Sequence, residues 1–315
     1  MKCRRHFFSC FEAVLPDGSI EYFSSNVVKN TTGYNLKDLI IGSEGTLAII
    51  TEVTLKLLPA PVETCTLLIP FNSLEECADM VPKLVALPAT PTAIEFLEQE
   101  LLEIVERTLD KRLPTTAGDA VLIVMYDTNS KEEMDLAIEA AAESALSNGA
   151  LDVFVADTPQ SQSQVWGVRG AILEGMKADS VSQEECDIVV PRDKIAEYVR
   201  EARKITDRLG LRVEPCGHCG DGNIHTEILR GPEISDEEWK ASTQTAIKEL
   251  YALAKRLKGQ MSGEHGVGNG RIEYLEEFVG PRMIKLYKAV KLAFDEKLIL
   301  NPGKIVEFQE DRKRG

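Results

Sequence analysis

Two glycine-rich stretches contain three of the four histidines in this 315-residue chain. The first, residues 214–225, reads EPCGHCGDGNIH, and the second, residues 262–270, reads SGEHGVGNG. The Asp-Gly and Gly-Asn pairs between His218 and His225 are typical of a tight turn between strands, and a hairpin would bring both imidazoles to one side. Two imidazoles and a carboxylate such as Glu264, with one open position, form the ligand set of a catalytic divalent metal.

Other interpretations of these stretches remain open. No histidine pair has helical spacing, so the histidines also fit surface turns without a function. Cys216 and Cys219 form a C-x-x-C pattern, which occurs in redox pairs and in zinc sites. No second C-x-x-C completes a zinc set and no thioredoxin-like context surrounds the first, so ordinary buried thiols beside a turn are favoured.

Three further stretches contain groups suited to anions or polar cofactors. Arg169 follows Trp166 by one helical turn, and its planar guanidinium can bind a carboxylate through two hydrogen bonds. The alternative is a surface arginine in a weak ion pair. The stretches VVKNTTGYN and IIGSEGTL combine glycines with hydroxyl and amide groups, a composition suited to a polar cofactor or to an ordinary turn. Neither is a dinucleotide fingerprint or a P-loop.

The bulk composition excludes several classes of protein. The net charge of −15 argues against nucleic acid and anionic membranes as partners. No apolar run is long enough for a transmembrane helix, and the N-terminus lacks the apolar region of a signal peptide. Seven cysteines, an odd number without a framework of spacings, favour reduced thiols and a cytoplasmic location.

The elements that must position these residues follow an alternating pattern. Residues 11–58 read as strands and turns, with a hairpin over 11–23, and Pro-Ala-Pro at 59–61 indicates a domain boundary. Beyond it, strands alternate with helices, which predicts an α+β layer with helices covering a sheet. The predicted strands are 63–71, 92–98, 119–126 and 150–156, and the predicted helices are 73–87, 98–112, 131–147, 192–209, 235–257 and 281–297.

Four motifs in a fixed order resemble one family. They are residues 27–59 (VVKNTTGYNLKDLIIGSEGTLAIITEVTLKLLP), 217–225 (GHCGDGNIH), 263–268 (GEHGVG) and 300–305 (LNPGKI). They resemble the FAD-linked 2-hydroxy-acid dehydrogenases, the group of the glycolate oxidase large subunit and D-lactate dehydrogenase, with the vanillyl-alcohol-oxidase flavoprotein fold. The implied fold class is α+β, with the end of a PCMH-type FAD-binding domain over residues 1–60. An FAD-linked oxidase C-terminal cap domain with a helix-covered antiparallel sheet would follow over 61–315.

The resemblance also implies roles for individual residues. His218, His225 and Glu264 occupy the positions that bind a divalent metal, usually zinc. His265 occupies the general-base position, and Arg169 looks like the arginine that holds the substrate carboxylate. The positions that match the flavin-contacting segments are Lys29, Asn30, Thr32, Gly33, Tyr34, Gly42, Ser43, Gly45, Thr46 and Asn301.

The implied activity is the oxidation of a small D-2-hydroxy acid, such as glycolate or D-lactate, to the 2-oxo acid. The hydride would pass to FAD, and His265 would remove the hydroxyl proton. Relatives pass their electrons to an iron–sulfur subunit, an electron-transfer flavoprotein or quinones, so one of these is the expected electron acceptor.

The chain departs from the family pattern at its N-terminal end. The pattern implies a longer N-terminal stretch with a glycine-rich loop for the FAD pyrophosphate, and this sequence contains no such loop. A truncated gene, an alternative start or one piece of a split enzyme is therefore expected. Two alternatives to the flavoenzyme are a metal-holding cap domain without flavin or turnover, and a metal-dependent hydrolase that uses the same three ligands with water.

Overall fold

A computed structural model describes residues 7–109, 113 and 118–308. The chain divides into two compact units. The large unit is Ala60–Gly263, and the small unit combines Lys2–Pro59 with Glu264–Gly315. The division of the sequence at residue 60, between the end of a flavin-binding domain and a cap domain, stays a prediction. In the structure, Glu264–Gly315 belongs to the same compact unit as Lys2–Pro59.

The N-terminal segment of the small unit forms a three-stranded antiparallel sheet. Its order is β2-β1-β3, and the predicted hairpin over 11–23 is confirmed by the pairing of β1 with β2. Phe11 and Phe23 stack with ring centroids 5.3 Å apart and form part of a small apolar cluster. The elements are β1 (Phe8–Val14), β2 (Ile20–Phe23), helix α1 (Leu36–Ile40) and β3 (Ile49–Leu55).

The large unit begins with a four-stranded antiparallel sheet in the order β5-β6-β4-β7, with α2, α3 and α4 packed against it. The helix predicted over 73–87 is confirmed as α2, and Ser73 caps it, because the Ser73 hydroxyl accepts a hydrogen bond from the Glu76 amide. The last strand is shorter than predicted, and residues 110–112 of the helix predicted over 98–112 lie outside the described residues. The elements are β4 (Glu63–Phe71), α2 (Leu74–Val85), β5 (Ala93–Glu98), α3 (Gln99–Leu109), β6 (Ala120–Thr128), α4 (Lys131–Leu146) and β7 (Phe154–Ala156).

A second antiparallel sheet follows, in the order β8-β10-β9. The sequence reasoning assigned no strand to 183–189, which forms β8. The elements are α5 (Pro159–Gly170), α6 (Ile172–Asp179), β8 (Gln183–Val189), α7 (Ile195–Arg208), β9 (Arg212–Cys216), β10 (Asn223–Leu229) and α8 (Asp236–Arg256).

The two faces of the second sheet differ in chemistry. One face is apolar, contains Ile188, Ile224 and Ile228, and packs against α7 and α8. The opposite face, here called the polar face, also holds Val189 and Cys216, but its polar side chains are those of Asp187, Glu185, Asn223, His225, Glu227 and Glu214. Most of these polar side chains are buried. Because burying polar groups is costly unless they are paired, such a face is typical of a functional site rather than of a core.

The small unit ends with helices α9 (Ile272–Val279) and α10 (Pro281–Phe294). Lys291 on α10 is buried, and its ammonium donates to Asp295 Oδ2 at 2.6 Å and to the carbonyls of Thr46 and Leu300 at 2.7 Å each. This lysine therefore fastens the predicted flavin segment to the C-terminal motif. The predicted α+β class with a helix-covered antiparallel sheet is confirmed. Within the described residues no helix has the length and apolar character needed to cross a membrane.

Candidate functional site

A tight turn, residues 217–225, presents two histidines at one end of the second sheet. It runs from the end of β9 through a short 3-10 helix, Cys219–Asp221, into β10. Gly222 has a φ of 81°, and a Cβ there would lie 2.1 Å from the Val190 carbonyl oxygen. The turn therefore needs glycine for both its backbone conformation and its close approach to β8.

The two imidazoles lie together, and each is held by its own carboxylate. The ring centroids of His218 and His225 are 5.4 Å apart. His218 Nδ1 is 2.5 Å from Glu95 Oε1, and His225 Nδ1 is 2.8 Å from Glu185 Oε1. An ionised carboxylate only accepts hydrogen bonds, so an imidazole paired with it donates from Nδ1 and, in its neutral form, carries its lone pair on Nε2. This carboxylate–histidine arrangement is the one that orients metal-ligating histidines.

Arg169 shares a carboxylate with His218. It lies on α5, as the spacing from Trp166 predicted, and Glu95 Oε2 accepts from its Nε at 3.0 Å and its Nη2 at 2.9 Å. Burial alone would raise the pKa of Glu95, but the hydrogen bond with His218 and the charge of Arg169 outweigh burial and lower it. Glu95 is therefore an ionised carboxylate between the predicted anion-binding arginine and a predicted metal ligand.

Asp187 fixes the first two residues of the second histidine stretch. Its Oδ1 accepts from the Asn223 amide at 2.7 Å, and its Oδ2 accepts from the Ser262 hydroxyl at 2.9 Å and the Gly263 amide at 2.8 Å. The large unit thus ends in a segment tied to the polar face immediately before Glu264 in the sequence.

Glu227 is the residue of the polar face whose hydrogen bonding is least complete. It is buried, and its Oε2 has no hydrogen-bond partner among the described residues. Burial raises its pKa to about 7, and the neighbouring charge of Glu185 acts in the same direction. A carboxyl group beside His225 with a pKa this high is typical of functional sites.

The two cysteines of the turn are buried free thiols. Burial raises the pKa of Cys216 to about 12 and that of Cys219 well above its ordinary value. The Cys219 thiol donates to the Ile94 carbonyl at 3.2 Å. Reactive thiols have lowered pKa values, so these two support packing against β5 rather than redox chemistry.

Glu264 and His265 lie in a loop of the small unit, with 30% and 49% of their side chains exposed. A carboxylate from the predicted flavin segment supports this loop, because Glu44 accepts from the amides of Val267 at 2.8 Å and Gly268 at 2.7 Å. Within the small unit, the IIGSEGTL motif therefore contacts the GEHGVG motif directly.

The predicted flavin contacts fall into two groups. Lys29, Asn30, Thr32, Gly33 and Tyr34 lie in an exposed irregular segment, which borders an open groove of about 1320 Å³. In the other group, Ser43 and Thr46 are buried, and the amide of Asn301 donates to the carbonyls of Glu44 at 3.2 Å and Gly45 at 3.0 Å. The five predicted residues of the exposed segment offer one ammonium, one amide and two hydroxyl groups, which suit a polar anionic cofactor.

Sequence reasoning missed the carboxylates that support the site. Glu95 lies on a strand that was predicted without a functional role, Glu227 lies on a strand that was expected only as a flank of the turn, and Glu185 and Asp187 lie on a strand that was not predicted. One signal was available: β10 reads NIHTEIL, in which Asn, His and Glu alternate with Ile, Thr and Ile. Alternation with polar groups on the buried side predicts a polar sheet face.

Residues 60–305 match the family described as FAD linked oxidases, C-terminal domain. The chain is 41% identical over 308 residues to a D-lactate dehydrogenase of Anaerostipes hadrus, with 96% of this chain and 65% of the relative covered. It is 32% identical over 311 residues to the glycolate oxidase subunit GlcD of Bacillus subtilis, with 98% of this chain and 65% of the relative covered. The chain thus spans less than two thirds of the length of these relatives.

Solved structures resemble this chain in fold. A p-cresol methylhydroxylase with substrate bound has a TM-score of 0.72 at 16% identity, covering 96% of this chain and 65% of that one. A 4-ethylphenol oxidase from Gulosibacter chungangensis has a TM-score of 0.70 at 16% identity, covering 97% and 66%. At this identity the likeness concerns the fold alone. Since the family match covers most of the chain, this protein belongs to the FAD-linked oxidases that share this C-terminal domain.

Proposed function

We propose that this chain binds the substrate and a divalent metal in an FAD-dependent oxidoreductase that oxidises a small D-2-hydroxy acid to the 2-oxo acid. The observation that carries the proposal is the pair His218 and His225, each held through Nδ1 by a buried or half-buried carboxylate. The names of the relatives, D-lactate dehydrogenase and glycolate oxidase subunit, support this substrate class.

His218 and His225 fit a divalent metal, zinc by preference. Zinc favours imidazole nitrogens as ligands, and a carboxylate on Nδ1 keeps each ring oriented so that Nε2 can face the metal. A metal held there would supply Lewis acidity to a bound 2-hydroxy acid. The resemblance makes Glu264 a further ligand, and this assignment stays a prediction.

Arg169 would bind the carboxylate of the substrate. Glu95 engages Nε and one Nη2 hydrogen, so the opposite edge of the guanidinium retains donors for a second carboxylate. His265 would accept the proton of the substrate hydroxyl, a role that the resemblance assigns and that stays a prediction.

FAD would accept the hydride when bound. The exposed segment with Lys29, Asn30, Thr32 and Tyr34 would contact its polar part. A relative named as a subunit supports a partner polypeptide as electron acceptor, with an electron-transfer flavoprotein or an iron–sulfur subunit as candidates.

The metal assignment is tested by metal analysis of the purified chain. After EDTA treatment, zinc loading and dialysis, the wild type should retain one zinc per chain, and the double variant His218→Ala, His225→Ala should retain none. His6→Ala is the matched control, since it removes the one histidine outside the two motifs and should keep the metal. Unchanged zinc in the double variant would contradict the assignment.

The flavin assignment is tested by a visible spectrum after incubation with FAD, before and after anaerobic addition of D-lactate or glycolate. A bound-flavin band that bleaches would support the proposed oxidoreductase. A chain that holds zinc but no flavin would favour the alternative, a metal-holding unit that needs a partner polypeptide for turnover.

A further inference from the structure

The carboxylate of Glu95 contacts a predicted metal ligand, His218, and the predicted substrate-binding residue, Arg169. One oxygen lies 2.5 Å from His218 Nδ1, and the other accepts from Arg169 at 2.9 Å and 3.0 Å. Only 5% of the Glu95 side chain is exposed. We infer that Glu95 is a positioning residue that makes binding of the substrate carboxylate depend on prior binding of the metal. The inference rests on the proposed function, because it takes His218 as a metal ligand.

On the arginine side, Glu95 offsets the charge that would attract the substrate. The guanidinium is one-fifth exposed and makes its ion pair, among the described residues, with this carboxylate alone. An incoming anion therefore meets a nearly neutral pair rather than an isolated cation, in a chain with a net charge of −15. Without the metal, the site should attract a 2-hydroxy acid only weakly.

On the histidine side, Glu95 strengthens the metal ligand. A carboxylate on Nδ1 raises the basicity of the imidazole at Nε2 and fixes its orientation. A cation bound at Nε2 makes the Nδ1 proton more acidic and strengthens its hydrogen bond to Glu95. The positive charge of the bound metal then compensates the negative charge of Glu95. As a result, Arg169 attracts a carboxylate more strongly than it does in the metal-free protein.

The second carboxylate–histidine pair of the site, Glu185 with His225, provides a control for Glu95 with His218. Glu185 supports His225 in the same way, with Oε1 at 2.8 Å from Nδ1, whereas the ion pair of Arg169 is with Glu95. Replacing either glutamate by glutamine should weaken metal binding, since loss of such a partner costs about 10–100-fold in affinity. Only the replacement of Glu95 should also release Arg169.

The test measures two affinities in the full chain by isothermal titration calorimetry: Zn²⁺ for the EDTA-treated protein, and D-lactate with and without Zn²⁺. For Glu95→Gln we expect zinc affinity to fall about 10–100-fold. D-lactate affinity of the metal-free protein should rise at least about 5-fold, the lower range of coupling between two ligands. Glu185→Gln should lower zinc affinity and leave metal-free D-lactate affinity unchanged.

A lower zinc affinity together with a higher D-lactate affinity distinguishes the positioning role of Glu95 from a loss of structure, because a loss of structure would weaken both affinities. Glu95→Gln with unchanged or reduced metal-free D-lactate affinity would overturn the inference. If this variant does not fold, the wild type still provides a test: equal D-lactate affinity with and without zinc would overturn it. If the wild type binds no zinc at all, the proposed function itself fails, whatever Glu95 does.

Discussion

Replacing Gly222 by alanine should destabilise the large unit by about 2–5 kcal/mol. Its φ of 81° is in the left-handed region, which costs a residue with a Cβ about 1–2 kcal/mol. The new Cβ would also lie 2.1 Å from the Val190 carbonyl oxygen, so the backbone must move. That movement breaks the 2.9 Å hydrogen bond from the Val190 amide to the Gly222 carbonyl, for a further cost of about 1–3 kcal/mol.

Gly210→Ala is the matched control for this variant. Gly210 has a φ of 68°, but no atom lies within 4 Å of its added Cβ, so only the conformational cost of about 1–2 kcal/mol applies. Trp166 and Trp239, the only tryptophans of the chain, both lie in the large unit, so their fluorescence follows its unfolding.

The measurement is the urea midpoint of that fluorescence for the wild type and both variants, with the slope checked for constancy. Gly222→Ala should unfold at clearly lower urea than Gly210→Ala and should also lose more zinc affinity, because the turn positions both histidines. Equal midpoints for the two variants would refute the reasoning, since the approach of the turn to Val190 would then be adjustable at no cost.

Three further results are expected. Lys291→Met should cost about 3–5 kcal/mol by removing the cation that pairs with the buried Asp295, and faster hydrogen exchange of β1 and β3 amides would reveal it. Burial alone would raise the pKa of Asp295, but the Lys291 ammonium and two backbone amides lower it. The contribution of Asp295 to the free energy of unfolding is therefore complete above the ordinary pKa of 3.8, and it is lost as pH falls through the lowered pKa. Acid unfolding of the wild type and of Lys291→Met, followed by circular dichroism, would detect this loss. A thiol reagent should modify the half-buried Cys10 in the native chain before Cys216 and Cys219, and rapid reaction of the turn cysteines would contradict their packing role.

The secondary structure was largely predictable because its signals are local. The strand over 63–71 and the helix capped by Ser73 occur where apolar runs and capping residues indicated them. The strand over 183–189 was missed because its sequence, QEECDIV, begins with polar residues. Those residues belong to the polar face, where the usual relation between polarity and exposure is reversed.

The sequence by itself determined the family, the α+β class and the two histidine stretches, because glycine turns, helix caps and motif order are properties of short segments. It also indicated that His218 and His225 lie on one turn. Only the tertiary structure decided which carboxylates support them, since Glu95 and Glu185 are 123 and 40 residues away along the chain. Long-range pairing depends on how strands assemble into sheets, and no local pattern marked Glu95 as the common partner of His218 and Arg169.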